Sequence, residues 1–494
     1  MEGDFSRVRF DPGQHYSGVL MQQGRVQLDA DWNEQGILQT QALRSALRDL
    51  IGRHGGPAEG PLGFGVRPPT GSEAAHTLTV GAGVYYVDGI RCEAQGATPL
   101  SLQGHGSGLY LVFLEVWERH VSAVEDPDLR EVALLGPDTA SRAQVRWNVR
   151  ALQLQLSNAE EATTAAANQR IELLRRAAAG RLGMAAQAKT AAATDDPCVL
   201  PPDAQYRGRE NHLYRVEIHR GISTGATADN GAPAEGARAP LFTFKWSRDN
   251  GSVVFPILPA EVPGAGNHVT GSSAATVTVR VAHLGRDARF GLSAGDIVEF
   301  VDDELSTAAR DPAVLEEGAP EPGVDGYLGE VRRVDPETRE VEVALFNTGT
   351  VTLAKAGLHP YIRRWDHRPV EGRPLVDGAV PVYANELAAT AWIDLEDGVQ
   401  VGFRRRGSPD QTEPTLRARD FWWVPARAAT GDVIWPRERA GGAATTAPAV
   451  LAPHGVQRHY APLGLASFSG TSFGSVVRTR RVFDELSRDE GGGA

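Results

Sequence analysis

Hydrophobic and polar positions alternate with a period of two through much of this 494-residue chain, and each alternating segment reads as a short strand. HTLTVGAGVYYVDGIRCE, residues 76–93, sets Leu78, Val80, Val84, Tyr86 and Ile90 in alternation with glycines at the turns, which predicts a hairpin. LYLVFLEVWERHV (109–121) is a nearly continuous apolar strand ending in charge, and AQVRWNVRALQLQLS (143–157) is another. YRGRENHLYRVEIHRG (206–221) predicts a strand through Leu213, Val216 and Ile218. In LFTFKWSRDNGSVVFPI, the Asp249-Asn250-Gly251 turn predicts a hairpin between two apolar strands. TVTVRV, GDIVEFVDDE and GYLGEVRRVDPETREVEVAL supply four or five short strands around a DPET turn, the pattern of a small SH3-like or OB-like barrel. AWIDLEDGVQVGF, DFWWVPARAATGDVIWP and QRHYAPLGLASF alternate again in the last third.

One segment follows a helical period instead. In GVLMQQGRVQLDADWNEQG (18–36), Asp29, Asp31 and Asn33 occupy the first three ligand positions of a calcium loop. That loop requires glycine sixth and glutamate twelfth, where this chain has Glu34 and Thr40. Asp31 with Glu34 three residues on has the spacing of a helix N-terminal cap, and Leu43, Leu47, Leu50 and Ile51 recur at helical spacing up to His54-Gly55-Gly56-Pro57. The reading is a β-turn-β followed by a helix of about twenty residues.

The fold class expected is mainly β and multidomain: short-stranded sandwich or barrel units, one N-terminal helix and an alanine-rich, partly helical insert. The boundaries read as an arm, β-turn-β and helix over 1–55, a first β-rich domain over 56–157, an insert or linker over 158–200, a second β-rich domain over 201–385 with the small barrel at 275–347, and a tryptophan-rich β domain over 386–494 with a disordered tail. In the insert, IELLRR can form one or two helical turns but offers little to bury.

Composition narrows the function classes. Fifty basic against 62 acidic residues give a formal net charge of −12, which argues against a nucleic-acid surface, and RRR at 404–406 reads as a solvated strand end. Two cysteines, Cys92 and Cys198, cannot form the framework of a disulfide-stapled module and fit a reduced compartment. No signal peptide or membrane span is visible, so assembly in the cytoplasm is expected.

Candidate chemistry is sparse. No phosphate loop, HExxH, paired CxxC or GxSxG occurs, and no catalytic, cofactor or metal residue is assigned. Asp302–Glu304 and Asp394–Asp397 could hold a hard cation or serve as the paired carboxylates of a glycoside hydrolase, but they stand where strands run into turns and solvated turn carboxylates are the first explanation; the histidines His219, His367, His454 and His459 would need spatial convergence to bind a metal. Trp246, Trp365, Trp392, Trp422, Trp423 and Trp435 fall in the second half, where core packing is the first explanation for most and glycan or protein contact the alternative.

Several blocks together resemble a bacterial protein family encoded with phage-tail-like extracellular contractile injection systems. They are MEGDFSRVRFDPGQHYSGVLMQQGRVQLDADWNEQ, VYYVDG, EVWERHVSAVEDPDLREVALLGPDTASRAQVRWNVR, YRGRENHLYRVEIH, FKWSRDNGSVV and FWWVPARAATGDVIWP. The first block is also similar to phage baseplate proteins in which a strand-turn unit precedes a subunit-packing helix. Trp423, Ile434 and the long insert depart from the pattern. The resemblance implies a structural component at the baseplate or spike end, or in a collar, cage or cap, with other particle subunits and copies of itself as partners and no catalytic residues or cofactor. Interface candidates are then Phe5, Tyr16, Arg25 and Trp32 in the first block and Arg363, Arg364, Trp365, Trp422 and Arg427 further on. The arm, residues 1–17, is expected to dock on a neighbouring subunit.

Overall fold

The computed structural model of the chain describes residues 2–58, 62–71, 73–155, 163–178, 182–189, 205–222, 239–258, 268–269, 276–307, 312–316, 326–346, 351–352, 358–406, 416–440 and 443–484. The fold is mainly β, with several sheets and few helices. The tail SRDEGGGA, Cys198 and most of the alanine-rich insert lie outside the described residues.

The first unit is centred on Gly108–Val121, which pairs with Arg142–Leu154 on one side and with His459–Phe468 on the other. Its apolar run is continuous because both of its faces are covered. Tyr110, Val112, Leu114 and Val116 face a core shared with Leu78, Val80, Tyr85, Val87 and Ile90, whereas Leu111 and Phe113 face Ala167 and Ile171. Those last two residues belong to a helix, Thr164–Ala178. The IELLRR segment is therefore part of a fifteen-residue helix, longer than one or two turns, and it is docked. Ala167 and Ile171 are the fully buried residues through which it packs on the sheet.

The second unit pairs Phe242–Ser247, His212–Arg220 and Phe421–Arg427 in one sheet and Leu182–Ala188 with Val399–Arg405 in another, across a common core of aromatic and β-branched side chains. The third is a six-stranded sheet whose outer strands, Val254–Pro256 and Thr276–Arg280, are joined beyond their ends by the Leu258 N–H to Arg280 O and Ala282 N–H to Pro256 O bonds, both 2.8 Å. The sheet thus closes on Phe255, Val279, Val298, Phe300, Val331, Val343 and Ile362, a side-chain-filled barrel.

Three local expectations change. Asn250 (φ 51°) and Gly251 (φ 68°) do form the left-handed turn, but no hairpin follows: Phe242–Ser247 pairs in the second unit and Val254–Pro256 leaves for the barrel. Residues 18–28 form no strand, so of the expected β-turn-β only the turn at Gln23-Gly24 is present ahead of the helix Asp29–Ile51. The described residues of 386–494 are shared among several sheets. Val399–Arg405, Phe421–Arg427 and His459–Phe468 each complete a sheet begun far upstream, and Val482–Phe483 runs parallel to His54–Pro57.

Candidate interaction surface

The helix Asp29–Ile51 has 23 residues, of which only Ala30, Glu34 and Leu38 are buried. Those three, four residues apart, make one inward line. It begins after Leu28 with no side-chain cap, so Asp31 does not close it. Asp29 and Asp31 stand in the first turn, where negative charge suits the exposed N–H groups, and the Asp29 carboxylate accepts from the Ser6 backbone N–H and hydroxyl at 2.9 and 2.5 Å.

Midway, the helix is clamped to the first unit. Arg44 makes a two-pronged ion pair with Glu118 on the long central strand, both contacts 2.8 Å. Beneath it lies the Asp88-Gly89 turn of the Gly83–Val87/Ile90–Ala94 hairpin, and a Cβ on Gly89 (φ 80°) would stand 2.3 Å from the Arg44 carbonyl oxygen. Gly89→Ala is expected to cost about 1–3 kcal/mol, read as a lower urea midpoint, with Gly24→Ala, which meets nothing within 4 Å at a comparable φ of 71°, as control for the backbone alone.

Large apolar side chains are exposed along the same segment: Tyr16, Leu20, Met21, Val26, Leu28, Trp32, Leu43 and Leu50, from 43% exposed at Leu28 to 89% at Leu20. They are eight of the seventeen large exposed apolar residues among those described, so the surface is concentrated rather than scattered. Of the interface candidates, Tyr16, Arg25 and Trp32 lie on it.

The other candidates lie inside the chain or against its own arm. The strand His212–Arg220 is buried on both faces: Tyr214, Val216 and Ile218 enter the apolar core, while Arg215 and Glu217 point towards the barrel. Lys245, from the neighbouring strand, sits 3.2 Å from Glu217 and 2.6 Å from Glu299 of the barrel, over the Trp365 ring. Trp365 donates its indole N–H to Glu299 at 2.9 Å, and Arg364 donates to the Gly291 carbonyl. Trp422 packs in the core and donates to Leu451 O. Arg363, Arg364, Trp365 and Trp422 are thus 0–6% exposed and anchor the barrel and second unit rather than an outer interface.

The N-terminal arm seals this ionic seam. Glu2 reaches both Arg363 and Arg215, Gly3 exchanges hydrogen bonds with Asn250, Phe5 packs edge-on to His120 at 6.1 Å, and Arg427 donates to Ser6 O at 2.8 Å. Burial alone would raise the Glu2 pKa; Arg363 and Arg215 outweigh it and pull the carboxyl down to about 2. Residues 2–6 of the arm thus lie against their own chain, where the Glu2 carboxylate faces two buried arginines.

The acidic turns have local partners. Asp302 caps a short helix by accepting the Leu305 N–H, Asp303 pairs with His359 at 2.9 Å, Asp394 accepts from Gln400, and Glu396 accepts from Tyr214 and Arg248. The histidines diverge. His367 donates to Gly378 O, His454 accepts the Trp423 backbone N–H and stacks between Trp423 and Trp435, and His459 faces Asp88. Among the described residues no group of three His, Cys, Asp or Glu is placed to hold a metal, and no helix is long and apolar enough to cross a membrane.

Sequence reasoning missed Arg215, Glu217, Lys245 and Glu299, whose only signal is charge on strands with apolar alternate positions. A model described as a family of unknown function, DUF6519, matches residues 1–180 and 156–480. No curated protein and no solved structure matches the chain. The family match spans both ends of the fold, from the arm and helix to the returning C-terminal strands, and the chain belongs to the DUF6519 family.

Proposed function

We propose that this chain is a structural subunit of a phage-tail-like contractile injection particle, a contact protein rather than an enzyme, with its β units as rigid scaffold. The observation that carries the reading is the concentration of exposed apolar side chains on the arm-and-helix segment, Tyr16 to Leu50, which gives its own chain only three buried helix residues. Exposed apolar surface concentrated in one segment marks protein contact sites. The kind of particle rests on the resemblance of the sequence blocks to chains encoded beside contractile injection systems.

The test is to purify assembled particles from the native cells with and without this gene and image both. Loss of density at one end, or failure to assemble, is the expected result. Intact particles without the gene, together with absence of the chain from wild-type particles, would refute the reading. Binding of glycans by the final third is the alternative, and no feature favours it: Trp422 and Trp435 pack in the core of the second unit, and Trp423 donates its indole N–H to Asn250 at 2.9 Å.

A further inference from the structure

We infer that the helix Asp29–Ile51 pairs with the same helix of a second copy of this chain, antiparallel, through a heptad seam on its outer face. The inference rests on reading the arm and helix as a contact surface and specifies the partner. Trp32, Gly36, Gln39, Leu43, Ala46 and Leu50 follow one another at alternating spacings of four and three, the spacing of coiled-coil core positions, and all six are exposed. At about 100° per residue, Trp32, Leu43 and Leu50 fall within about 20° of one another. Ala30, Glu34 and Leu38, the line that faces the chain's own body, lie on the opposite side. The helix therefore has two seams, one used internally and one open.

Three features select a second copy, and the antiparallel arrangement, as the occupant. First, the seam is its own complement when reversed. With the two-fold midway along it, Trp32 meets Leu50 of the partner subunit, Gly36 meets Ala46 of the partner subunit, and Gln39 meets Leu43 of the partner subunit. The small Gly36 layer leaves room for the neighbouring indole; a Cβ on Gly36 would meet nothing within 4 Å in this chain. A parallel pair would instead stack two indoles beside two glycines. Second, the charges fit. The first turn carries Asp29 and Asp31, so parallel pairing would gather four carboxylates at one end, and reversal moves the two pairs to opposite ends of the contact. Third, the positions flanking the seam, Asn33, Gln35, Thr40, Ala42, Leu47 and Asp49, hold a single charge, so self-association meets little like-charge repulsion. Six seam positions make about three heptads, short for a free-standing coiled coil. The exposed Leu20, Met21, Val26 and Leu28 at the start of the helix add apolar area to the contact.

The test is the mass of the full chain in solution. Sedimentation or light scattering at tens of micromolar is expected to give twice the chain mass, and Leu43→Glu to halve it while leaving the circular dichroism spectrum and the melting temperature of the β units unchanged. Register is read by mixing two single variants: Trp32→Cys and Leu50→Cys chains should cross-link to each other under mild oxidation, with the 32–50 link identified by peptide mass, and each should fail to cross-link to itself. A monomeric wild-type chain, a Leu43→Glu chain that remains dimeric, or self-linked Trp32→Cys would overturn the inference. A monomeric chain that still enters particles would sink the pairing and leave the assembly reading standing; a dimeric chain absent from particles would do the reverse.

Discussion

Glu115→Gln is expected to destabilise the chain by about 3–5 kcal/mol, the range for removing one partner of a buried ion pair. Glu115 is fully buried on the central strand of the first unit, and its carboxylate receives Arg150 at 3.0 Å, Arg417 at 3.1 Å and Arg458 at 2.9 Å. One anion thus holds three cations drawn from distant parts of the sequence. Glutamine preserves the shape and one acceptor but removes the charge, leaving three guanidinium groups facing one another in a low dielectric. Burial by itself would raise the Glu115 pKa; Arg458, Arg417 and Arg150 overcome it and hold the carboxyl well below its usual 4.5. A folded-state pKa below the unfolded value means a stabilisation that is full above about pH 4.5 and is lost as acid protonates the group, so the penalty of the variant should shrink in acid. Urea midpoints of both proteins at pH 7 and pH 4 check this, and a loss under about 1 kcal/mol at pH 7 would show that the arginines are satisfied without the carboxylate.

Removing the arm's carboxylate, Glu2→Gln, is expected to cost about 2–4 kcal/mol. The figure is smaller because Arg215 keeps Glu217 at 2.6 Å and Arg363 keeps the Tyr361 hydroxyl at 2.9 Å. Here too the folded pKa is depressed, to about 2 from 4.5, so the stabilisation is present at neutral pH and disappears as pH falls across that window. Hydrogen exchange of the 242–247 and 361–365 strands gives the local readout: faster exchange there in Glu2→Gln is expected, and unchanged exchange would mean that the arm lies on the seam without sealing it.

Local conformation was legible in the residues; partnership between segments was not. The Asp88-Gly89 hairpin and the DPET turn, where the Asp335 carboxylate accepts the Glu337 N–H, are written in turn chemistry that acts over four residues. Alternation also marks the strand His212–Arg220, but alternation ordinarily means one dry and one wet face. Here the polar face is covered by the barrel, and no signal near Arg215 announces Glu2 or Glu299. Asn250-Gly251 carries a hairpin turn for the same local reasons, and the destination of the next strand is decided by what its apolar face can cover in the barrel. Arg363, Arg364 and Trp365 read as interface anchors because arginine and tryptophan dominate protein contacts. The contact they make is between two units of one chain, which obeys the same chemistry. Trp32 and Leu43 were visible as helical residues, but their exposure follows from the line Ala30, Glu34 and Leu38 having taken the inward face.

The pairing of His459–Phe468 with Gly108–Val121 bears on synthesis. The ribosome must add about 340 residues after the earlier strand before the later one exists, roughly 20–70 s at ~5–20 residues per second. For most of that interval the nascent Gly108–Val121 strand has Arg142–Leu154 on one edge and an open apolar edge on the other. A holdase that covers this edge during translation should raise the soluble yield, and moving residues 459–483 ahead of residue 108 by circular permutation should remove the dependence on it.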